Sequence, residues 1–247
     1  MTALLEVRDI EKSFGGVHAV RGVSFDVREG EILGVIGPNG SGKSTLFNCI
    51  LGQLPPSHGK VRVDGRDVTG LRPSRLNRLG VSRTFQLLQV FPQLTARENL
   101  ILAGQEHRGT RFARLFGARD AGLGPAADRM LDFFRLANLA DETAGSLSYG
   151  QQKLLDAAMA FMAGSRLVLL DEPAGGVNPT MLAGLRERLE AINRETRATF
   201  VVIEHNMEFV MALCSRLIVL AEGRIIAEGT PAEVRRDPAV IEAYLGH

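Results

Sequence analysis

The sequence predicts an α/β fold: a core built on a mainly parallel sheet, an amino-terminal antiparallel β subdomain, and an inserted helical lobe. Three observations carry the prediction. The short apolar runs Ile32–Ile36, Leu167–Leu170 and Phe200–Ile203 have the length and β-branched content of strands buried on both faces. The first two are each followed by glycine-rich turns and helix-like sequence, the order of parallel strands joined by crossovers. Between Gln86 and Gly164 strand-like runs give way to helix-like ones.

Taken in order, Leu4–Val27 alternates and carries β-branched residues around Gly15-Gly16, which predicts a strand pair. Ile32–Ile36 then leads into a helix over Lys43–Gly52. Lys60–Val68 reads as a hairpin, because Asp64-Gly65 tolerates the positive φ angles of a tight turn. The lobe carries helices over Thr95–Ala103, Ala126–Ala137 and Gln151–Ala163, so residues 86–163 form the inserted part and residues 1–85 with 164–247 form the core. Near the end, Thr230-Pro231-Ala232-Glu233 supplies an N-cap, a proline at the first helical position and a capping-box glutamate. Asp237-Pro238 repeats the cap-and-proline start.

The chain has 247 residues, 45% of them apolar, enough to bury a sizeable core. Its 29 basic and 28 acidic residues leave a net charge of +1, which argues against nucleic acid as a partner. Cys49 and Cys214 stand in apolar, helix-like surroundings without a second Cys or His at metal spacing, so both are expected to be buried thiols. The opening turns charged at Glu6, which is not the pattern of a secretory signal. No apolar run approaches the roughly 20 residues that span a bilayer. The expectation is a cytoplasmic protein whose contact with any membrane is peripheral.

Gly37-Pro38-Asn39-Gly40-Ser41-Gly42-Lys43-Ser44-Thr45 fits G-x-x-x-x-G-K-[ST] and lies between a predicted strand and a predicted helix, the setting a P-loop requires. Backbone N–H groups wrap phosphate and the helix start adds a favourable dipole. Lys43 neutralises β/γ-phosphate charge, and the Ser44 hydroxyl ligates Mg²⁺. The strand Leu167–Leu170 ends in Asp171-Glu172, at the sheet edge where such folds bind ligands. Asp171 is expected to hold Mg²⁺ through water and Glu172 to polarise the attacking water. His205 follows the strand Phe200–Ile203 and is aimed at the same edge, toward the γ-phosphate.

Leu147-Ser148-Tyr149-Gly150-Gln151-Gln152-Lys153 opens a helix, with Ser148 as cap and Gly150 permitting close backbone approach. This is a second phosphate-binding helix start, and one nucleotide does not need two cradles in the same chain. Gly37–Thr45, Gln86, Leu147–Gln151, Leu167–Glu172 and His205 stand in the order and spacing of the ATP-binding-cassette ATPases, which the chain resembles over nearly its whole length. The resemblance implies a P-loop NTPase core and a head-to-tail pair of subunits. Ser148, Gly150 and Gln151 of one subunit then close on ATP held by the other. It also implies that Gln86 contacts Mg²⁺ and the water, and that Phe14 stacks on adenine. After Glu172 the sequence departs from the broad family, with Asn178 where aspartate is more usual.

Arg83-Thr84-Phe85-Gln86, Glu204-His205-Asn206-Met207 and the tail from Glu228 to Gly246 resemble the ATPase subunits of branched-chain amino-acid importers. Urea and amide importers and the lipopolysaccharide-export ATPase share parts of this pattern and stay as alternatives. The importer resemblance implies two transmembrane permease subunits, a second ATPase subunit (a copy or a relative), and indirectly a periplasmic or extracellular solute-binding protein. It places the chain at the cytoplasmic face of the inner membrane. Within Gly104–Ala126, four arginines and Phe112, Leu115 and Phe116 predict a short basic amphipathic helix near headgroups or partners. Gln86–Leu94 is expected, by resemblance, to line the groove that receives a permease helix. A soluble cassette ATPase of DNA repair or translation is disfavoured, since those carry coiled-coil insertions or two cassettes.

Overall fold

The structure, a computed structural model, describes residues 3–84, 90–105, 122–162 and 164–245. Its first elements are β1 (Ala3–Phe14), β2 (Val17–Arg28), β3 (Ile32–Ile36), α1 (Lys43–Ile50), β4 (His58–Val63), β5 (Arg66–Asp67), α2 (Pro73–Arg78) and β6 (Val81–Thr84). Then come α3 (Ala96–Gln105), α4 (Leu123–Phe133), α5 (Tyr149–Met162), β7 (Leu167–Asp171), α6 (Pro179–Thr196) and β8 (Thr199–Ile203). The last are α7 (Met207–Leu213), β9 (Arg216–Ala221), β10 (Arg224–Gly229), α8 (Pro231–Val234) and α9 (Pro238–Leu245). Two compact units result: Met1–Asn77 with Thr199–His247, and Arg78–Ala198.

In the first unit, β2, β1, β4 and β5 form an antiparallel sheet in that order. Register pairs Leu5 with Val27 and Val63, and Val7 with Phe25 and Val61, and all six are buried. That is the consequence of period-two alternation with one face on a core. The expected turn is present, with Asp64 and Gly65 both at positive φ. The second layer of this unit centres on β3, which runs parallel to β8 and to β9, while β10 returns antiparallel to β9. Every residue of β3 and β8 is buried, as continuous apolar runs require. Each large aliphatic side chain so buried contributes about 1.5–3 kcal/mol relative to exposure. The Thr230–Glu233 capping box forms as expected.

In the second unit, β6 and β7 pair in parallel and α3, α4 and α5 enclose a core of Leu100, Met130, Leu131, Phe134, Leu155 and Phe161. Phe134 and Phe161 stack with ring centroids 6.0 Å apart. Asn99 is fully buried and ties down the loop ahead of α3: its amide donates to the carbonyls of Phe91 and Thr95 at 3.1 and 2.9 Å and accepts from Phe91 N–H at 2.7 Å.

Helix boundaries shift from the sequence expectation by a few residues. The helix expected over Ala126–Ala137 runs from Leu123 to Phe133. It ends there because Arg135 turns left-handed, at φ 54°, and Leu136 N–H reaches back to the Leu131 carbonyl at 2.7 Å, a Schellman closure. The helix-like sequence expected after Leu167–Leu170 is the 18-residue helix α6, whereas the β9–β10 hairpin stands where no element was assigned from sequence. The expected lobe boundaries, Gln86 and Ala163, lie outside the described residues, as do residues 106–121 of the basic insert and 86–89 of the permease groove. Among the described residues no helix is long and apolar enough to cross a membrane.

Candidate functional site

The phosphate loop belongs to the first unit and is folded by its own neighbours. β3 ends at Ile36 and α1 begins at Lys43, so Gly37–Gly42 must turn the chain in six residues. Gly37 is buried at φ 149°, and a Cβ there would lie 2.0 Å from the Leu220 carbonyl oxygen, so only glycine fits. The buried Ser41 accepts from Gly223 N–H at 3.0 Å through its carbonyl, which braces the loop against the β9–β10 turn. Lys43 is 5% exposed, and its ammonium donates to the carbonyls of Gly37 and Pro38, each at 2.9 Å. A buried cation thus sits at the centre of the loop. Asn39, Gly40 and the Ser44 hydroxyl stay exposed, and the cap residue Gly42 offers no side-chain acceptor to the first helical N–H groups. Those donors suit an anion.

The carboxy-terminal helix α9 reaches the same loop. Burial pushes the Tyr244 phenol up, offset in part by its hydrogen bond with the Gly37 backbone. A cavity beside the loop is lined by Pro38, Asn39 and Gly40 on one side and by Glu222, Arg224 and Ala239 on the other.

Phe14 ends β1 with its ring 48% exposed and the Lys12 ammonium 5.2 Å from the ring centroid. Adenine stacking needs an accessible aromatic ring, and Phe14 is among the exposed large hydrophobic residues. His205 follows β8 and is exposed. The residue that fixes it is Glu204, 3% exposed, whose carboxylate accepts the N–H groups of His205 and Asn206 at 2.8 and 3.0 Å. Asn206 in turn caps α7 by accepting from Phe209 N–H at 3.0 Å. Sequence reasoning did not single out Glu204. The signal available was a carboxylate between a buried strand and an N-cap asparagine.

The acidic pair and the second helix start belong to the second unit. Asp171 closes β7 and is 3% exposed. Its partner is Arg83 on the neighbouring strand β6, whose guanidinium donates to the Asp171 carboxylate. Glu172 follows at φ 51°, a left-handed backbone on a residue that is not glycine, and its carbonyl accepts from the Lys153 ammonium at 2.8 Å. Sequence reading named Arg83 and Lys153 only within longer runs and foresaw neither pairing, because each meets its partner only through the tertiary fold.

Ser148 and Gln151 form a reciprocal pair at the start of α5. Ser148 N–H donates to the Gln151 side-chain oxygen at 2.8 Å, and Gln151 N–H donates to the Ser148 hydroxyl at 3.4 Å. Gly150 is small for an internal reason as well, since a Cβ there would lie 2.7 Å from Met181 sulfur. Asn178 caps α6, accepting from Met181 N–H at 2.9 Å, with Pro179 next. The amide therefore preserves a hydrogen bond that an aspartate would also make. Gln86 lies outside the described residues.

Comparison with known proteins bears directly on this arrangement. The ABC transporter family matches residues 20–175, and the family described as branched-chain amino acid ATP-binding cassette transporter matches residues 224–247. The chain is 39% identical to the high-affinity branched-chain amino acid transport ATP-binding protein BraF of Pseudomonas aeruginosa, over 98% of each chain. Among solved structures, the ADP conformation of an ATP-binding cassette of an ABC transporter superposes with a TM-score of 0.87 at 34% identity, covering 100% of both chains. A dimeric ATP-binding cassette in a post-hydrolysis state, bound to ADP and Pi, gives 0.78 at 26% identity over 92% of this chain and 98% of that one.

Proposed function

The chain belongs to the ABC transporter family, and on that footing we propose that it hydrolyses ATP to drive branched-chain amino acids into the cell through membrane permeases. The observation that carries the ATPase reading is the phosphate loop itself: a buried Lys43 ammonium bonded to loop carbonyls at the start of α1, whose cap residue Gly42 makes no side-chain cap hydrogen bond. The cargo reading is supported by the match of the tail, residues 224–247, and by the name of the 39%-identical relative.

In this reading the loop from Gly37 to Thr45 binds the triphosphate, with Lys43 turning from its own carbonyls to the β- and γ-phosphates, and Phe14 stacks on adenine. Oxygen donors of the kind that Mg²⁺ prefers are present in the exposed Ser44 hydroxyl and the Asp171 carboxylate, with Gln86 as a third; the ion would neutralise charge developing on the phosphates. Glu172 takes the proton of a water as its oxygen attacks the γ-phosphorus. The bond from that phosphorus to the β–γ bridging oxygen breaks, and ADP and phosphate leave. His205 donates to the γ-phosphate and holds the water in line. Ser148, Gly150 and Gln151 complete the site of a second subunit, so that ATP is shared between two chains.

The proposal includes partners on the membrane: two permeases, a second cassette ATPase and, across the membrane, a solute-binding protein, with this chain at the cytoplasmic face. Affinity isolation from gently solubilised membranes, followed by mass spectrometry, tests it. Recovery of two permeases and a cassette ATPase, with an amino-acid-binding protein after cross-linking, is the expected result. Recovery of export permeases would overturn the uptake reading, and recovery without any membrane protein would overturn the transport role.

A further inference from the structure

Lys153 lies on α5, the helix that follows Ser148, two residues beyond Gln151, and its ammonium reaches the main chain of Glu172. The approach is close on every side. The ammonium is 2.8 Å from the Glu172 carbonyl oxygen, 5.4 Å from the Tyr149 ring centroid, and 3.5 Å from where a Cβ on Gly175 would stand. With Asp156 and Asp171 it lines the cavity behind the loop that follows β7.

What the contact holds is a strained residue. Glu172 keeps φ at 51°, a left-handed conformation that persists in a non-glycine residue only where its surroundings enforce it. Two donors meet at its carbonyl: Lys153 at 2.8 Å, and Gly175 N–H at 3.1 Å from within the loop. The loop donor moves with Glu172, whereas Lys153 is anchored on α5. Rotation of the Glu172 peptide, which would swing its carboxylate, therefore has to break the bond to α5. Conversely, a shift of α5 along its axis pulls on that carbonyl.

We infer that Lys153 is a positioning residue that ties the Ser148–Gln151 helix start, which serves the partner subunit's nucleotide, to the Glu172 that serves its own. The inference rests on the assignment of Glu172 as the residue that activates water. Through this bond each subunit's ATP contact sets the geometry of its own hydrolytic carboxylate, so the two sites fire together.

Steady-state ATP hydrolysis by purified wild type, Lys153→Met, Lys153→Arg and Glu172→Gln tests the inference, with ATP affinity measured on each. Lys153→Met is expected to lose on the order of 10- to 100-fold in kcat, the scale of a misplaced catalytic group, with KM and ATP affinity held within about twofold. Lys153→Arg, which keeps a charged donor on the same helix, is expected to recover most of the rate. Unchanged kcat in Lys153→Met would overturn the inference, as would a loss confined to KM or a failure of arginine to rescue a variant that still binds ATP normally. Full activity in Glu172→Gln would instead remove the reading beneath it, which keeps the two failures apart.

Discussion

Arg83 and Asp171 form an ion pair almost sealed from water, with side chains 11% and 2% exposed. They sit on adjacent parallel strands, where the register sets Arg83 opposite Leu169, two residues before Asp171. A buried carboxylate needs a compensating charge when no cation is bound, and the guanidinium supplies it in a fixed, directional form.

Removing one partner leaves the other charge buried alone. Arg83→Met is expected to destabilise the fold by about 3–5 kcal/mol, whereas adding Asp171→Leu to it should return much of that loss. Urea unfolding of the two single variants and the double variant measures this. Equal destabilisation in the single and the double variant would show that the pair is not what matters.

The cap at Asn178 gives a smaller and cleaner prediction. Its side-chain oxygen accepts from Met181 N–H at 2.9 Å at the start of an 18-residue helix. Asn178→Ala should cost about 1 kcal/mol, the usual worth of an N-cap. Asn178→Asp keeps the acceptor and adds a charge at the positive end of the helix, so its stability should equal or exceed wild type by about 0.3–1 kcal/mol. Thermal or urea melts of both variants check the order.

Chemistry at the two thiols depends on pH in a defined direction. Burial, with Glu204 adding to it, pushes Cys214 up to about 12, and burial also raises Cys49. Both stay protonated in the native state where an unfolded thiol has begun to ionise. The native protein then holds more protons than the unfolded chain at alkaline pH. The stability tied to this is whole below the ordinary thiol range and falls as pH rises toward the raised value. Iodoacetamide at pH 8 should leave both cysteines intact in the folded protein and modify both in urea. Fast modification without denaturant would contradict their burial.

How much of this could be read from sequence depended on how local the cause is. Ile32–Ile36, Leu167–Leu170 and Phe200–Ile203 were legible because a strand buried on both faces is apolar at every position. Asp64-Gly65 and Thr230-Pro231-Ala232-Glu233 were legible because turn and cap chemistry spans four residues. The phosphate loop was legible for the same reason, as one segment whose cradle is built by its own backbone. The strand Val81–Thr84 was not, since Ser82 and Arg83 break its apolar pattern and its reason for being there is an aspartate 88 residues away. Lys153 stood at the end of the run read as a second phosphate-binding helix start, and only the fold brings it to the Glu172 carbonyl. The hairpin Arg216–Gly229 did carry a signal, the run Leu217–Ala221 before Glu222-Gly223, both of which take positive φ.

The central claim is that Glu172 activates the water that cleaves ATP, and phosphate release from purified wild type and Glu172→Gln with ATP and Mg²⁺ tests it most directly. The account predicts steady release by wild type and a fall of at least about 100-fold in the variant, the scale of a lost general base, with ATP still bound. Equal rates from the two proteins would contradict it.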